Sequence, residues 1–260
     1  MPDDIDFETK PEIALQQVRW ACEVGLPRGV VLMDAGYGAS TELRASIAEL
    51  DVPYVAGILS NTSVWAGEEP LPPKTWCGRG RPPKLMRRGG KHEPISVKDL
   101  AHNLPSKAWR KVTWREGAAA PLSSRFARVR VRPAHRDYWL SEMRPEEWLL
   151  MEWPKGEKEP TKYWLSILPE DVSFHRLVDY AKLRWRIERD YLELKQEVGL
   201  GDFEGRGWRG FHHHATMSIA VYGFLISERG AFPPSAIAQA LFPELALPKD
   251  YRPRGSAVAA

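Results

Sequence analysis

Glu188, flanked by Arg184 and Lys195, is the acid in this sequence whose neighbours best suit chemistry on a phosphate. On an ideal helix, at about 100° per residue, Arg184 falls roughly 40° and Lys195 roughly 20° to one side of Glu188, so the three share one narrow face. Leu183, Ile187, Tyr191, Leu194 and Val198 fill the neighbouring arc, the expected buried stripe. An acid bordered by cations at the edge of a core can hold a metal ion while its neighbours contact phosphate. The alternative is a solvated amphipathic helix whose Glu and Lys residues serve as surface pairs.

A second acid stands in a different setting. Gly29 to Met33 is a short apolar run rich in β-branched residues, read as a buried strand, and it ends at Asp34 before Ala-Gly-Tyr-Gly. A carboxylate at the carboxyl end of such a strand points into the crevice where α/β sheets bind ligands. An Asp before a glycine-containing turn also has a purely local use, because Asx turns need the same chemistry.

From Gly78 to Lys91 the chain carries Arg79, Arg81, Lys84, Arg87, Arg88 and Lys91 and no acid until Glu93. Within it GRGRPPK resembles an AT-hook core, an extended segment that lies along a narrow minor groove. Glycine permits close approach, proline keeps the chain extended and arginine enters the negative groove. A soluble loop that is basic by chance is the other reading. Trp65, Trp76, Trp109 and Trp114 are either packing residues or platforms for an unpaired base. His212, His213 and His214 are consecutive, so on a helix they point about 100° apart and cannot all face one ion. A phosphate contact or core packing suits them better, and Arg206, Trp208 and Arg209 extend the same basic stretch.

Taken together, Arg184, Glu188 and Lys195 resemble the tyrosine–arginine–glutamate–lysine helix of DDE insertion-sequence transposases, with Tyr180 standing one position before the usual tyrosine step at Ala181. GLGDFEGRGWRGFHHH, from Gly199 to His214, is similar to the continuation in the insertion sequence 701 family, and VVLMDAGYG to the strand carrying its second aspartate. The resemblance implies an RNase H-like core interrupted by a β-rich insertion. It implies metal-dependent cutting and joining of DNA at element ends, with Asp34 and Glu188 as catalytic metal ligands for Mg2+ or Mn2+ in a two-metal site. Arg184, Lys195 and Tyr180 are then expected at phosphates, and Arg79, Arg81, Lys84, Arg87 and Arg88 on DNA. The first aspartate of the family should lie on an opening strand upstream of the TKPEIAL helix. Asp3, Asp4 and Asp6 precede that helix without such a strand, so the chain is expected to be the C-terminal part of a longer transposase, inactive alone. A non-catalytic DNA-binding or dimerising fragment acting on full-length transposase is the alternative function. A third is a fragment that does not fold.

Composition sets the bounds. The 260 residues can hold one large domain or two small ones, with a net charge of only +3, so affinity for DNA must come from local patches. Cys22 and Cys77 lie far apart with no zinc spacing, which suits a reducing compartment; a bacterial cytoplasmic protein, at the nucleoid when bound to DNA, is expected. The longest apolar run, Ala215 to Ile226, is too short for a bilayer, and no membrane partner is expected.

The elements that must position these residues follow from periodicity. Thr9 to Val24 reads as a helix with Ile13, Leu15, Val18 and Ala21 inward. A strand to Asp34, a helix over Thr41–Leu50 and a strand over Val52–Leu59 follow, a rhythm that implies parallel pairing in an α/β sheet. The middle block breaks the rhythm with strands over Arg110–Arg115, Ser124–Arg132, Trp148–Trp153 and Tyr163–Leu168, the last two a hairpin around PKGEKEPT. Arg125 to Arg132 alternates apolar and basic residues, predicting one buried and one cationic face. One long helix is expected from Asp171 to Val198, then a mostly apolar helix over Arg209–Glu228 packing on the core. The expected division is 1–60, 61–169, 170–230 and a tail from 231 ending in a disordered GSAVAA.

Overall fold

A computed structural model of the protein describes residues 7–90, 92–115 and 121–231. The chain forms two compact units, Asp6–Arg184 and a second made of Met1–Ile5 with Trp185–Ala260. Asp3, Asp4, Lys91 and the tail beyond 231 lie outside the described residues, as does Asp6.

The larger unit opens with α1 (Lys10–Glu23), β1 (Val31–Met33), α2 (Ala35–Gly38), α3 (Thr41–Glu49) and β2 (Tyr54–Ile58). Glu12 closes the start of α1 by accepting from the Thr9 backbone N–H at 2.7 Å and its hydroxyl at 2.6 Å. Ser40 caps α3 through the Leu43 N–H. Along α1, Leu15, Val18 and Ala21 are half-buried as expected, but Ile13 is exposed. A stripe read from periodicity extends to the helix end, whereas its cover does not.

The chain continues through β3 (Ser63–Trp65), β4 (Ile95–Ser96), α4 (Val97–Asn103), β5 (Arg110–Arg115), β6 (Leu122–Pro133), β7 (Glu147–Trp153), β8 (Lys162–Ser166) and α5 (Phe174–Lys182). One sheet unites these strands in the order β1-β2-β8-β7-β6-β3-β4, with β5 also on β6. β1 and β2 run parallel, as the opening rhythm predicts, and every other pair is antiparallel. The β-rich block is therefore not a separate sheet: β8 pairs with β2, so strands of 61–169 extend the sheet begun by β1.

Both faces of this sheet are covered, so its central strands are apolar on both sides. In β7, Leu149 and Met151 join the cluster under α4 with Val97 and Ala101, while Leu150 joins the cluster under α5 with Leu177, Val178 and Ala181. A third cluster lies under α3, where Leu43 and Ile47 meet Met33, Tyr54 and Ala56. Each fully buried side chain of this kind contributes about 1.5–3 kcal/mol.

β6 alternates as its sequence suggests, but its arginines do not form an open cationic face. Arg128 and Arg130 lie over the Trp148 ring at 4.3 and 5.1 Å, and Arg128 donates to the Val172 carbonyl at 2.6 Å. Arg130 donates to the Glu146 carbonyl at 2.9 Å.

The expected helix from Asp171 to Val198 is two helices. α5 starts at the Ser173 cap and ends at Lys182, where the Leu183 N–H turns back to the Tyr180 carbonyl; α6 (Trp185–Gln196) begins beyond Arg184. The break follows Lys182, whose ammonium is still held beneath Trp114, Phe126 and Trp164, and no glycine or proline in the sequence marks it. Arg184 therefore stands in the turn that precedes α6 rather than inside one continuous helix.

In the smaller unit, α6 and α7 (Trp208–Ala231) meet at Glu193, which Tyr222 reaches at 3.5 Å and Arg229 at 3.6 Å. Burial, with Asp190 and Glu193 adding to it, pushes the Tyr222 hydroxyl up to about 12. The expected stripe is only partly realised: Leu194 is buried, Leu183 and Val198 half-buried, and Ile187 and Tyr191 exposed. Nor is α7 packed into a core; Met217, Ile219, Phe224 and Leu225 are exposed. Its apolar residues run all round the helix, and α6 with the turn Leu200–Asp202 covers only part of that circumference.

Candidate active site

Asp34 sits where β1 ends and α2 begins. Its Oδ1 accepts from the Gly36 N–H at 2.9 Å and the Tyr37 N–H at 3.2 Å, so the carboxylate caps α2. The Asx-turn reading and the ligand reading of Asp34 thus concern different oxygens. Oδ2 lies 3.8 Å from Arg184 Nη1, and both side chains are nearly half exposed. An open ion pair of this kind contributes about 0–1 kcal/mol.

Two glycines seat this turn against the sheet. A side chain on Gly38 would collide with the Gly57 carbonyl and come within 3.0 Å of Ala56 Cβ. One on Gly57 would come 3.0 Å from the Ala35 nitrogen and 3.2 Å from the Asp34 carbonyl carbon. Their close approach sets where the Asp34 carboxylate emerges, and the glycines of the Ala-Gly-Tyr-Gly segment were the only sign of it in the sequence.

Residues 1–121 match the family model described as DDE superfamily endonuclease. The match spans just under half of the 260 residues, ends short of Arg184 and Glu188, and supports a DDE transposase-type domain containing Asp34. No curated protein matches the chain.

The other expected site residues fall into different settings. Glu188 and Lys195 are exposed on α6 in the smaller unit, with the Lys195 ammonium 4.5 Å from the centre of the Tyr191 ring. Tyr180, on α5, accepts through its hydroxyl from Arg176 at 2.9 Å. Arg79, Arg81 and Lys84 are exposed on a loop where Gly78 and Gly80 adopt positive φ and the Trp76 indole donates to the Gly80 carbonyl. Arg87 and Arg88 are engaged by the fold. Arg87 donates to the Pro72 carbonyl at 2.9 Å, and Arg88 pairs with buried Asp137 at 2.7 Å.

Trp65 is a core residue rather than a stacking platform, 2% exposed with its indole donating to Asp137 at 2.6 Å. Trp109 and Trp114 also pack against the two sheet clusters. Only Trp76 of that group remains exposed. His214 contacts the Gly199 carbonyl at 2.8 Å, and His212 packs on Trp208 with ring centres 4.1 Å apart.

Two buried pairs of ionisable groups escaped the sequence reading. Lys182 reaches Glu152 at 2.5 Å beneath Trp114, Phe126 and Trp164, and burial lowers the proton affinity of its amine despite that partner. Glu147 accepts from the Tyr54 hydroxyl at 2.8 Å, and burial raises both groups, with Arg44 opposing the shift.

Octahedral Mg2+ needs several oxygen ligands, usually one or two carboxylates with water and substrate. Asp34 offers one carboxylate oxygen, Oδ2, beside Arg184. Among the described residues no group of three or more His, Cys, Asp or Glu side chains gathers for a metal ion. Asp34 alone therefore fits the role of one ligand and not of a complete centre. Among the described residues, no helix is long and apolar enough to cross a membrane.

Proposed function

We propose that the chain carries catalytic residues of a DDE-type DNA transposase of the insertion sequence 701 kind, with an RNase H-like core. Asp34 and Glu188 supply two of its metal-holding carboxylates for Mg2+ or Mn2+, and Arg184 and Lys195 contact phosphates of the element end. The observation that carries the reading is Asp34 itself, held by two amides at the end of a parallel strand, within the residues similar to DDE superfamily endonucleases. With two carboxylates assigned of the three such chemistry uses, the chain alone is expected to bind Mn2+ weakly and to nick DNA slowly or not at all. Mn2+ binding, followed by electron paramagnetic resonance, should weaken in Asp34→Asn and in Glu188→Gln. Equal Mn2+ affinity in the variants and the parent protein would overturn the assignment. Robust Mg2+-dependent nicking of element-end DNA that Asp34→Asn abolishes would instead establish a complete active site.

The second reading is a DNA-binding fragment that modulates full-length transposase, alone or as a dimer. Exposed Arg79, Arg81 and Lys84 favour it, because exposed cations in a glycine-rich loop can follow a phosphate backbone. Binding without cleavage that falls with salt, and is lost in Arg79→Ala/Arg81→Ala, supports this reading.

A further inference from the structure

A cavity of about 440 Å3 opens in the larger unit between the start of α3, the loop after β2 and the turn after β6. Arg44, Arg88, His135 and Arg136 line it, and no carboxylate does. The acids that act on these cations stand outside the lining: Asp137, 2% exposed, is bound by Arg88 at 2.7 Å and by Trp65 at 2.6 Å, Glu147 is buried near Arg44, and Glu42 lies near His135 and Arg136. The cavity is therefore cationic at its wall.

Arg44 is the decisive residue. It is 3% exposed, deep for a guanidinium, yet only part of its donor fork is used. One terminal nitrogen donates to the Gly38 carbonyl and the other to the Thr41 hydroxyl at 3.5 Å, while the enclosed Nε has no partner among the described residues. A buried guanidinium on the wall of a cavity suits an anion that brings several acceptor oxygens to its terminal nitrogens. Arg136 adds a second donor fork from the rim and holds a left-handed backbone, φ 52°, that few residues other than glycine adopt.

The remaining walls point to more than a bare anion. The volume falls within the range of small-molecule sites, roughly 300–1,000 Å3, and exceeds what a phosphate group alone would fill. Asn61, Thr62 and Ser63 offer amide and hydroxyl groups along one side, and the half-exposed Tyr138 ring, with the Arg88 guanidinium 5.0 Å over one face, offers an aromatic surface on another. A base could stack on that ring and meet those polar side chains. The cavity wall at Ala39 is one short helix, α2, beyond Asp34, about 7.5 Å by helical rise.

We propose that this cavity binds a phosphorylated nucleotide of a single DNA strand, with the phosphate at Arg44 and Arg136 and the base against Tyr138. That the nucleotide belongs to DNA rests on the transposase reading; the phosphate selectivity follows from the cationic wall alone. The test uses the full chain in EDTA, with fluorescence anisotropy of a short labelled oligonucleotide bearing a 5′-phosphate and of the same strand without it. The phosphorylated strand should bind about tenfold more tightly, thymidine 5′-monophosphate should compete where thymidine does not, and Arg136→Gln should remove most of the difference. Arg136 and His135 are exposed, so Arg136→Gln and His135→Asn are expected to keep the thermal melt unchanged even if Arg44→Gln does not fold. Equal affinity for the two strands, or unchanged phosphate selectivity in Arg136→Gln, would overturn the site. Competition by the mononucleotide without any binding of the strand would overturn DNA as its source. The readout needs no metal ion, so its failure is separable from failure of the Mn2+ experiment on Asp34 and Glu188.

Discussion

Asp34 performs two jobs through two oxygens, and substitutions can divide them. Asp34→Asn keeps an acceptor for the Gly36 and Tyr37 amides and is expected to retain stability, whereas Asp34→Ala also removes the cap and should cost about 1 kcal/mol in chemical denaturation. Both variants should weaken Mn2+ binding, so a metal effect in Asp34→Asn without a stability effect isolates the ligand role. Glu147 gives a pH signature. Its folded proton affinity is raised above the ordinary 4.5, so between those values the folded chain binds more protons than the unfolded one, and stability falls as pH rises through that window. Glu147→Gln should flatten this decline in denaturation curves recorded upward from pH 4. Tyr54→Phe leaves the buried carboxyl without its donor and should cost about 1–3 kcal/mol.

Elements act here through close contact. α2 is a single turn pressed on β2, and Gly38→Ala must push it away from the Gly57 carbonyl; overpacking of this kind costs about 1–3 kcal/mol. The displacement would also move Asp34, so Gly38→Ala should lose Mn2+ affinity while the carboxylate itself is unchanged. α5 is anchored by the buried Lys182–Glu152 pair, and Lys182→Met, by stranding Glu152, is expected to cost about 3–5 kcal/mol. Replacing both partners with apolar residues should restore much of that loss, as measured by a thermal or urea melt of the double variant.

Across the whole molecule, burial is concentrated in one unit. All three apolar clusters lie within residues 6–184, together with the entire sheet. Among the described residues of the other unit only Leu194 and Ser218 are buried. A protein of residues 6–184 should therefore fold alone with a cooperative melt. A gradual, uncooperative loss of circular dichroism would show that α6 and α7 are needed. Net charge of +3 predicts no strong general attraction to DNA, so binding of duplex DNA to the backbone should track the exposed loop. Removing Arg79 and Arg81 should then lower the slope of log affinity against log salt by about 2.

Most elements were legible because their signals are local. The helix over Thr41–Leu50, the apolar runs Gly29–Met33 and Val52–Leu59 that hold β1 and β2, and the alternation in β6 each depend on residues within a few turns or one strand. The position of Asp34 after a strand was legible for the same reason. What lay outside the sequence was which neighbour each face would meet. Helical periodicity ran one helix through Leu183 and Arg184, but the chain turns there, and Arg184 stands beside Asp34, more than a hundred residues away in the chain. Alternation gave β6 a cationic face, and Trp148 with nearby carbonyls occupies it. The sequence by itself determined the elements and the end of the strand that carries Asp34, because hydrophobic period and capping act over a few residues. Only the tertiary structure decided that β8 joins β2 in one sheet, that Lys182 is buried with Glu152, and that Arg44, Arg88 and Arg136 wall one cavity. Those depend on contacts between residues far apart in the chain, and no local pattern encodes them.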